Sequence, residues 1–110
     1  MKTIYWPTNW NNKLDNKAII HLDYAPSSLV PESYFPCEVT IYTKDNSHPP
    51  TVLQLQHFIR GVLKDFWYDM VTMPSHGMNR NEFFDWWMKE NPKFDDKKEL
   101  AIYFYVNSCA

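Results

Sequence analysis

The sequence predicts an α+β domain: a mainly antiparallel sheet of about four strands in the order β-β-β-α-α-β, with two helices packed on one face. Three observations predict it. Segments of two-residue apolar alternation lie toward both ends of the chain, two segments of helical periodicity lie between them, and most prolines fall between the periodic segments. The 110 residues are 45% hydrophobic and 17% aromatic, enough for one core, so residues 1–110 are read as a single domain.

Residues 1–6, β-branched and aromatic and stopped by Pro7, predict a first strand at a sheet edge. Trp10 to Asn16 is asparagine-rich and reads as a loop. Lys17 to Tyr24 then alternates, with Ala18, Ile20, Leu22 and Tyr24 on one face and Ile19, His21 and Asp23 on the other. Ala25 to Pro36 is an irregular connection with a single turn at Ser28 to Glu32. Alternation returns from Cys37 to Thr43, and Lys44 to Pro50 is a loop.

Thr51 to Met70 predicts an amphipathic helix, with Leu55, Ile59, Val62 and Phe66 on its buried side and His57, Gly61, Lys64 and Tyr68 on the other. A loop through Pro74 to Gly77 follows. The next helix starts at Asn79, where Glu82 completes a capping box and Met78 and Phe83 are placed for a hydrophobic staple; Pro92 stops it. Glu99 to Val106 is a strand, apolar on both faces and therefore central. A small, partly closed barrel with the helices at its rim is the alternative architecture.

The formal net charge of −2 disfavours strong capture of duplex DNA or an anionic membrane. No apolar run approaches the ~18 residues of a membrane span and no leader pattern opens the chain, so the expected compartment is the cytoplasm. Cys37 and Cys109 have no metal-ligand spacing, and four scattered histidines offer no paired ligands, so neither a disulfide, a metal nor another cofactor is expected. His21 and Asp23 share a strand face and form a pair suited to acid–base work. Without a nucleophile motif or glycine-rich loop beside them, the expectation is that the protein is not an enzyme.

Three surfaces are candidates for binding. On the helices, Trp86 flanked by Glu82, together with Gly61, His57, Tyr68 and Lys64, forms a candidate partner-binding set. Near the N-terminus, Trp6, Trp10, Lys13 and Lys17 interleave aromatic rings with lysines, as base stacking and backbone neutralisation require. Tyr103 and Tyr105, with Tyr42 alongside, would pave the outer sheet face.

The run Asn81 to Trp87 followed by Leu100 to Phe104 resembles the closing helix–strand unit of ASCH domains, PUA-like modules associated with RNA or nucleoside chemistry. The glycine–lysine–glutamate–arginine run of that family is missing around Lys13 and Lys17, so no catalytic residue carries over. The leading expectation is a small non-enzymatic interaction protein that binds a macromolecular partner through aromatic surface, such as a phage-type inhibitor or adaptor acting on a bacterial host protein. A homodimer fits the same surface. The alternative is a nucleotide- or RNA-binding PUA-like module.

Overall fold

The computed structural model describes residues 2–26 and 34–108, so the turn expected at Ser28 to Glu32 and Cys109 lie outside the described residues. The chain is α+β. Its strands are β1 (Lys2–Trp6), β2 (Ala18–Tyr24), β3 (Cys37–Thr43), β4 (Thr51–Gly61) and β5 (Leu100–Val106). Its helices are α1 (Leu63–Phe66), α2 (Asp69–His76) and α3 (Arg80–Glu90), and a 3-10 segment, Trp10–Asp15, joins β1 to β2.

The sheet has five strands in the order β1-β3-β4-β5-β2. It is mixed where a mainly antiparallel sheet of four was expected: β1 runs parallel to β3 with Ile4 opposite Ile41, and the other neighbours are antiparallel. β1 and β2 are its two edges, and β5 lies between β4 and β2, as its two apolar faces imply.

The strand added to the four expected is β4, where the sequence predicts the first half of a long helix. A bulge between Leu55 and His57 explains the misreading. Leu53 and Leu55 face one way, opposite Val39 and Cys37; after the extra residue, Phe58 pairs with Tyr103 on that same face. One inserted residue turns a two-residue step into the three-residue step Leu55 to Phe58. Leu63 and Phe66, buried in α1, continue that spacing by coincidence. Ile59, expected on the buried side of a helix, is 50% exposed on β4, whereas Leu55 and Phe66 are buried as expected, each on a different element.

The two expected helices become three. α2 includes Pro74 and absorbs most of the expected loop, ending on Gly77, whose φ of 70° is the left-handed C-cap conformation glycine adopts without strain. α3 begins where the sequence indicates: the Asn79 side chain accepts from the Glu82 backbone N–H at 2.9 Å, and Glu82 accepts from the Asn79 N–H at 3.0 Å. The expected loop at Trp10 carries a 3-10 segment kinked at Asn11 and Asn12, which take positive φ, a conformation asparagine tolerates better than most residues.

The sheet curls until its edges approach. The rings of Trp6 on β1 and His21 on β2 stack with centroids 4.3 Å apart, although these strands stand at opposite ends of the strand order. Inside the curl lie Trp6, Ile19, Val39, Ile41, Leu53, Leu55 and Tyr105, with Leu14 of the 3-10 segment. On the outer face, Leu22, Leu100 and Ile102 pack against Leu63, Phe66, Phe83 and Trp87 of the helices. Tyr105 is therefore enclosed at 3% exposure, and Tyr103 is half-buried beside it. Neither paves an outer face. Tyr42 does remain outside, stacked on Tyr5.

Candidate functional site

β2 has no strand beyond it, and its outward backbone groups need partners. Side chains supply two of them. The Ile20 carbonyl accepts from Lys13 Nζ at 2.9 Å, and the Leu22 N–H donates to Ser75 Oγ at 2.8 Å. The 3-10 segment thus delivers Lys13, and the end of α2 delivers Ser75 and His76, to the seam between the sheet edges.

Lys13 is 2% exposed, and its ammonium also reaches the Ser75 carbonyl at 2.6 Å and His21 Nδ1 at 2.7 Å. Three acceptors around one nitrogen use three protons, which is the valence of an ammonium. Burial pulls the Lys13 pKa well below the usual lysine range, while the Asp23 carboxylate pulls it back up.

His21 is fixed on every side but one. Trp6 stacks on one ring face and His76 lies against the ring with centroids 4.9 Å apart, while Nδ1 accepts from Lys13. With Lys13 as an ammonium, the ring proton sits on Nε2, which faces Asp23 Oδ2 at 3.6 Å. Burial, then the neighbouring Lys13 charge, holds His21 well below the usual histidine range. Asp23 is pushed upward by burial, against the opposing effect of the Tyr24 N–H that Oδ1 accepts at 2.7 Å.

The open edge of His21 borders a cavity of about 160 Å³ inside the curl, lined by Ile4, Trp6, Asp23, Leu55, Tyr103 and Tyr105 among others. Tyr103 donates to the Tyr24 carbonyl at 2.6 Å, and burial pushes its pKa up to about 12. Burial also raises Tyr105, and among the described residues nothing hydrogen-bonds its hydroxyl. The cavity thus combines aromatic walls, an N–H donor, a carboxylate and an unengaged hydroxyl.

Ser75 and His76 form a hydrogen-bonded pair, Oγ to Nδ1 at 2.7 Å. This pair is structural. Ser75 Oγ already accepts from Leu22, its hydrogen goes to His76, and both side chains are buried. Burial, followed by the charges of its neighbours, lowers His76 to about 2, so it stays neutral.

The residues proposed from the sequence distribute themselves unequally. Trp6 and Lys13 do meet, with Nζ 4.5 Å from the ring centroid, but both are buried and face inward. Trp10 packs instead on His76 and Trp86, and Lys17 is exposed. The helix arc expected to carry His57, Gly61, Lys64 and Tyr68 does not exist: His57 and Gly61 are on β4, Lys64 on α1, and Tyr68 precedes α2. His57 stacks on Phe104, and Glu82 is used in its capping box. Trp86 is half-buried against Trp10, His76 and Phe83. Ser75 and His76 were missed as site residues, because an adjacent polar pair carries no signal until α2 is placed against β2.

No protein-family model, curated protein or solved structure matches this chain. Among the described residues no group of three histidine, cysteine or acidic side chains is placed to hold a metal, and no helix is long and apolar enough to cross a membrane.

Proposed function

We propose that this protein is a non-catalytic binding domain that encloses a small ligand inside its curled sheet. The observation that carries this reading is the cavity between Trp6, Tyr103 and Tyr105, which a clamped histidine and the Asp23 carboxylate also line. Apolar walls with a few fixed polar groups are the usual make-up of a small-molecule site. Binding is favoured over catalysis because His21 has no free lone pair to act as a base and Ser75 is sealed away. This reading is nearer to the nucleotide-binding alternative than to the macromolecular one.

The test is NMR-detected binding of single-ring fragments to the wild type and to Leu55→Trp, which fills the cavity. Shifts centred on Trp6, Leu55 and Tyr105 that vanish in a folded Leu55→Trp variant support the reading. Binding that survives the filled cavity overturns it.

A second reading, association with another protein chain, is favoured by one feature of the helical layer. Leu63, Trp67, Phe84, Met88 and Phe94 line an apolar groove of about 460 Å³, with Phe84 exposed. A second copy of this chain is the partner that can be tested directly. Concentration-dependent sedimentation that Phe84→Glu abolishes would support it, and a monomer at all concentrations would remove it.

A further inference from the structure

Resting on the cavity reading above, we infer that the ligand is a neutral, single-ring heterocycle whose edge carries an N–H beside a carbonyl, as in a cyclic amide or imide, and that Lys13 positions the histidine that reads it.

Size comes first. A cavity of about 160 Å³ is close to the roughly 150 Å³ that encloses one benzene molecule, so its walls can hold one six-membered ring. Shape follows from the walls, since Trp6 and Tyr105 stand at 73° to one another with centroids 6.1 Å apart. A planar ring lying flat on one of them meets the other edge-on, and both arrangements are favourable between aromatic groups.

The polar wall specifies the edge. As an ammonium bonded to two backbone carbonyls, Lys13 can only donate, so it sets His21 to accept at Nδ1 and to carry its proton on Nε2. Nε2 and Asp23 Oδ2 stand 3.6 Å apart, too far for a good bond to each other. They therefore present a donor and an acceptor side by side. A ligand carbonyl accepts from Nε2–H while the adjacent N–H donates to Oδ2, at short distances the two groups do not reach with each other. The Tyr105 hydroxyl provides a third contact at the wall.

Charge and the polar edge together limit the competing classes. Asp23 is the charged side chain that lines the cavity, and Lys13 lies behind His21, outside the lining. An anionic ligand would face the Asp23 carboxylate. A cation that can only donate would leave the His21 Nε2–H without an acceptor, so the edge favours a ring that carries both groups.

The experiment uses wild-type protein and five probes followed by NMR titration: uracil, 1,3-dimethyluracil, benzene, tetramethylammonium and benzoate. The expected result is that uracil binds tightest, with shifts at His21, Trp6 and Tyr105. 1,3-Dimethyluracil, which keeps the ring and carbonyls but lacks the N–H, should bind at least ten-fold more weakly. Asp23→Leu, which removes the acceptor, should weaken uracil binding at least ten-fold more than it changes benzene binding. Long-range proton–nitrogen spectra of the free protein should show His21 as the Nε2–H tautomer, a signature that a merely space-filling Lys13 would not impose. Equal binding of uracil and its dimethyl analogue, tighter binding of either charged probe, or an Nδ1–H tautomer overturns the proposed ligand class; benzene shifts at the cavity would then show that the enclosed-ligand reading survives. If none of the five probes perturbs Trp6, Leu55 or Tyr105, both fall together.

Discussion

The two sides of the sheet are built on different terms. On the helical side, Leu22, Leu100 and Ile102 meet Leu63, Phe66, Phe83 and Trp87 in a core made of apolar side chains. Inside the curl, apolar residues share the space with a buried lysine, a buried histidine and a cavity. Burying Lys13 costs several kcal/mol before its partners repay it, whereas the helical core gains about 25 cal/mol for each Å² of apolar surface covered. The comparison teaches a division of labour: one face holds the fold together, and the other spends part of that stability on fixed polar groups.

The strongest way to break this comparison is to delete a ring from the helical side. Phe83 is fully buried between His76, Trp86 and Trp87, so Phe83→Ala should cost about 3–5 kcal/mol in urea denaturation. Because Phe83 does not line the cavity, ligand binding by the fraction that remains folded should be unchanged. A loss under 1 kcal/mol would mean that this layer is not the stabilising one.

Next in size is Lys13→Met, which keeps most of the length of the side chain and removes its charged end. The Ile20 carbonyl, the Ser75 carbonyl and His21 Nδ1 all lose their donor, and buried acceptors left unpaired cost about 1–3 kcal/mol each. Packing of the methionine offsets part of this, giving a net loss of about 3 kcal/mol. Stability equal to or above wild type would show that the polar row is a tolerated liability that contributes nothing to the seam between the sheet edges.

Sequence legibility follows the same division. β3 and α3 were readable because their signals are local: strict alternation from Cys37 to Thr43, and the reciprocal Asn79 and Glu82 cap. β4 was not, because its bulge broke the two-residue period at the point where α1 extended a spurious longer one. The parallel pairing of β1 with β3 joins segments more than thirty residues apart, and no local pattern encodes it. Within the site, His21 and Asp23 were legible as side chains on one strand face. The burial of Lys13 was not, since it depends on a segment kinked by two asparagines at positive φ. The candidate site as a whole was the least legible, because its polar groups come from separate elements that meet only when the sheet curls.

Gly61 sharpens the comparison from the helical side. As a helix residue it would gain stability on substitution by alanine, but at the end of β4 an added Cβ would lie 2.8 Å from Phe66 Cζ and 3.1 Å from Asp65 Oδ2. Phe66 is buried and Asp65 accepts the Val62 N–H at 2.9 Å, so neither yields freely. Gly61→Ala should therefore destabilise by about 1–3 kcal/mol through overpacking. A higher melting temperature in the variant would show that the α1 turn has room to move.

The smallest expected effect is a pH dependence at the mouth of the curl, where His48 joins the β3–β4 loop to the 3-10 segment. Its Nε2 lies 2.9 Å from Asp15 Oδ1 and its Nδ1 lies 2.8 Å from the Pro49 carbonyl. Both oxygens are acceptors, so the geometry is that of an imidazolium with two N–H donors. The Asp15 carboxylate raises the His48 pKa above the usual histidine value. The folded state holds this proton more tightly than the unfolded chain, so the contribution is fully present below about pH 6.5 and is lost as pH rises through the higher folded value. His21 and His76, lowered in the fold, have the opposite sign and lose stability as pH falls below about 6.5. Comparing wild type with Asp15→Asn isolates His48 from them. Because Asp15 is largely exposed, the difference should be about 0.2–1 kcal/mol at pH 6, shrinking as the pH rises through the folded His48 value. A difference that grows with pH would reverse the sign of this contact and show that His48 binds Asp15 as a neutral ring.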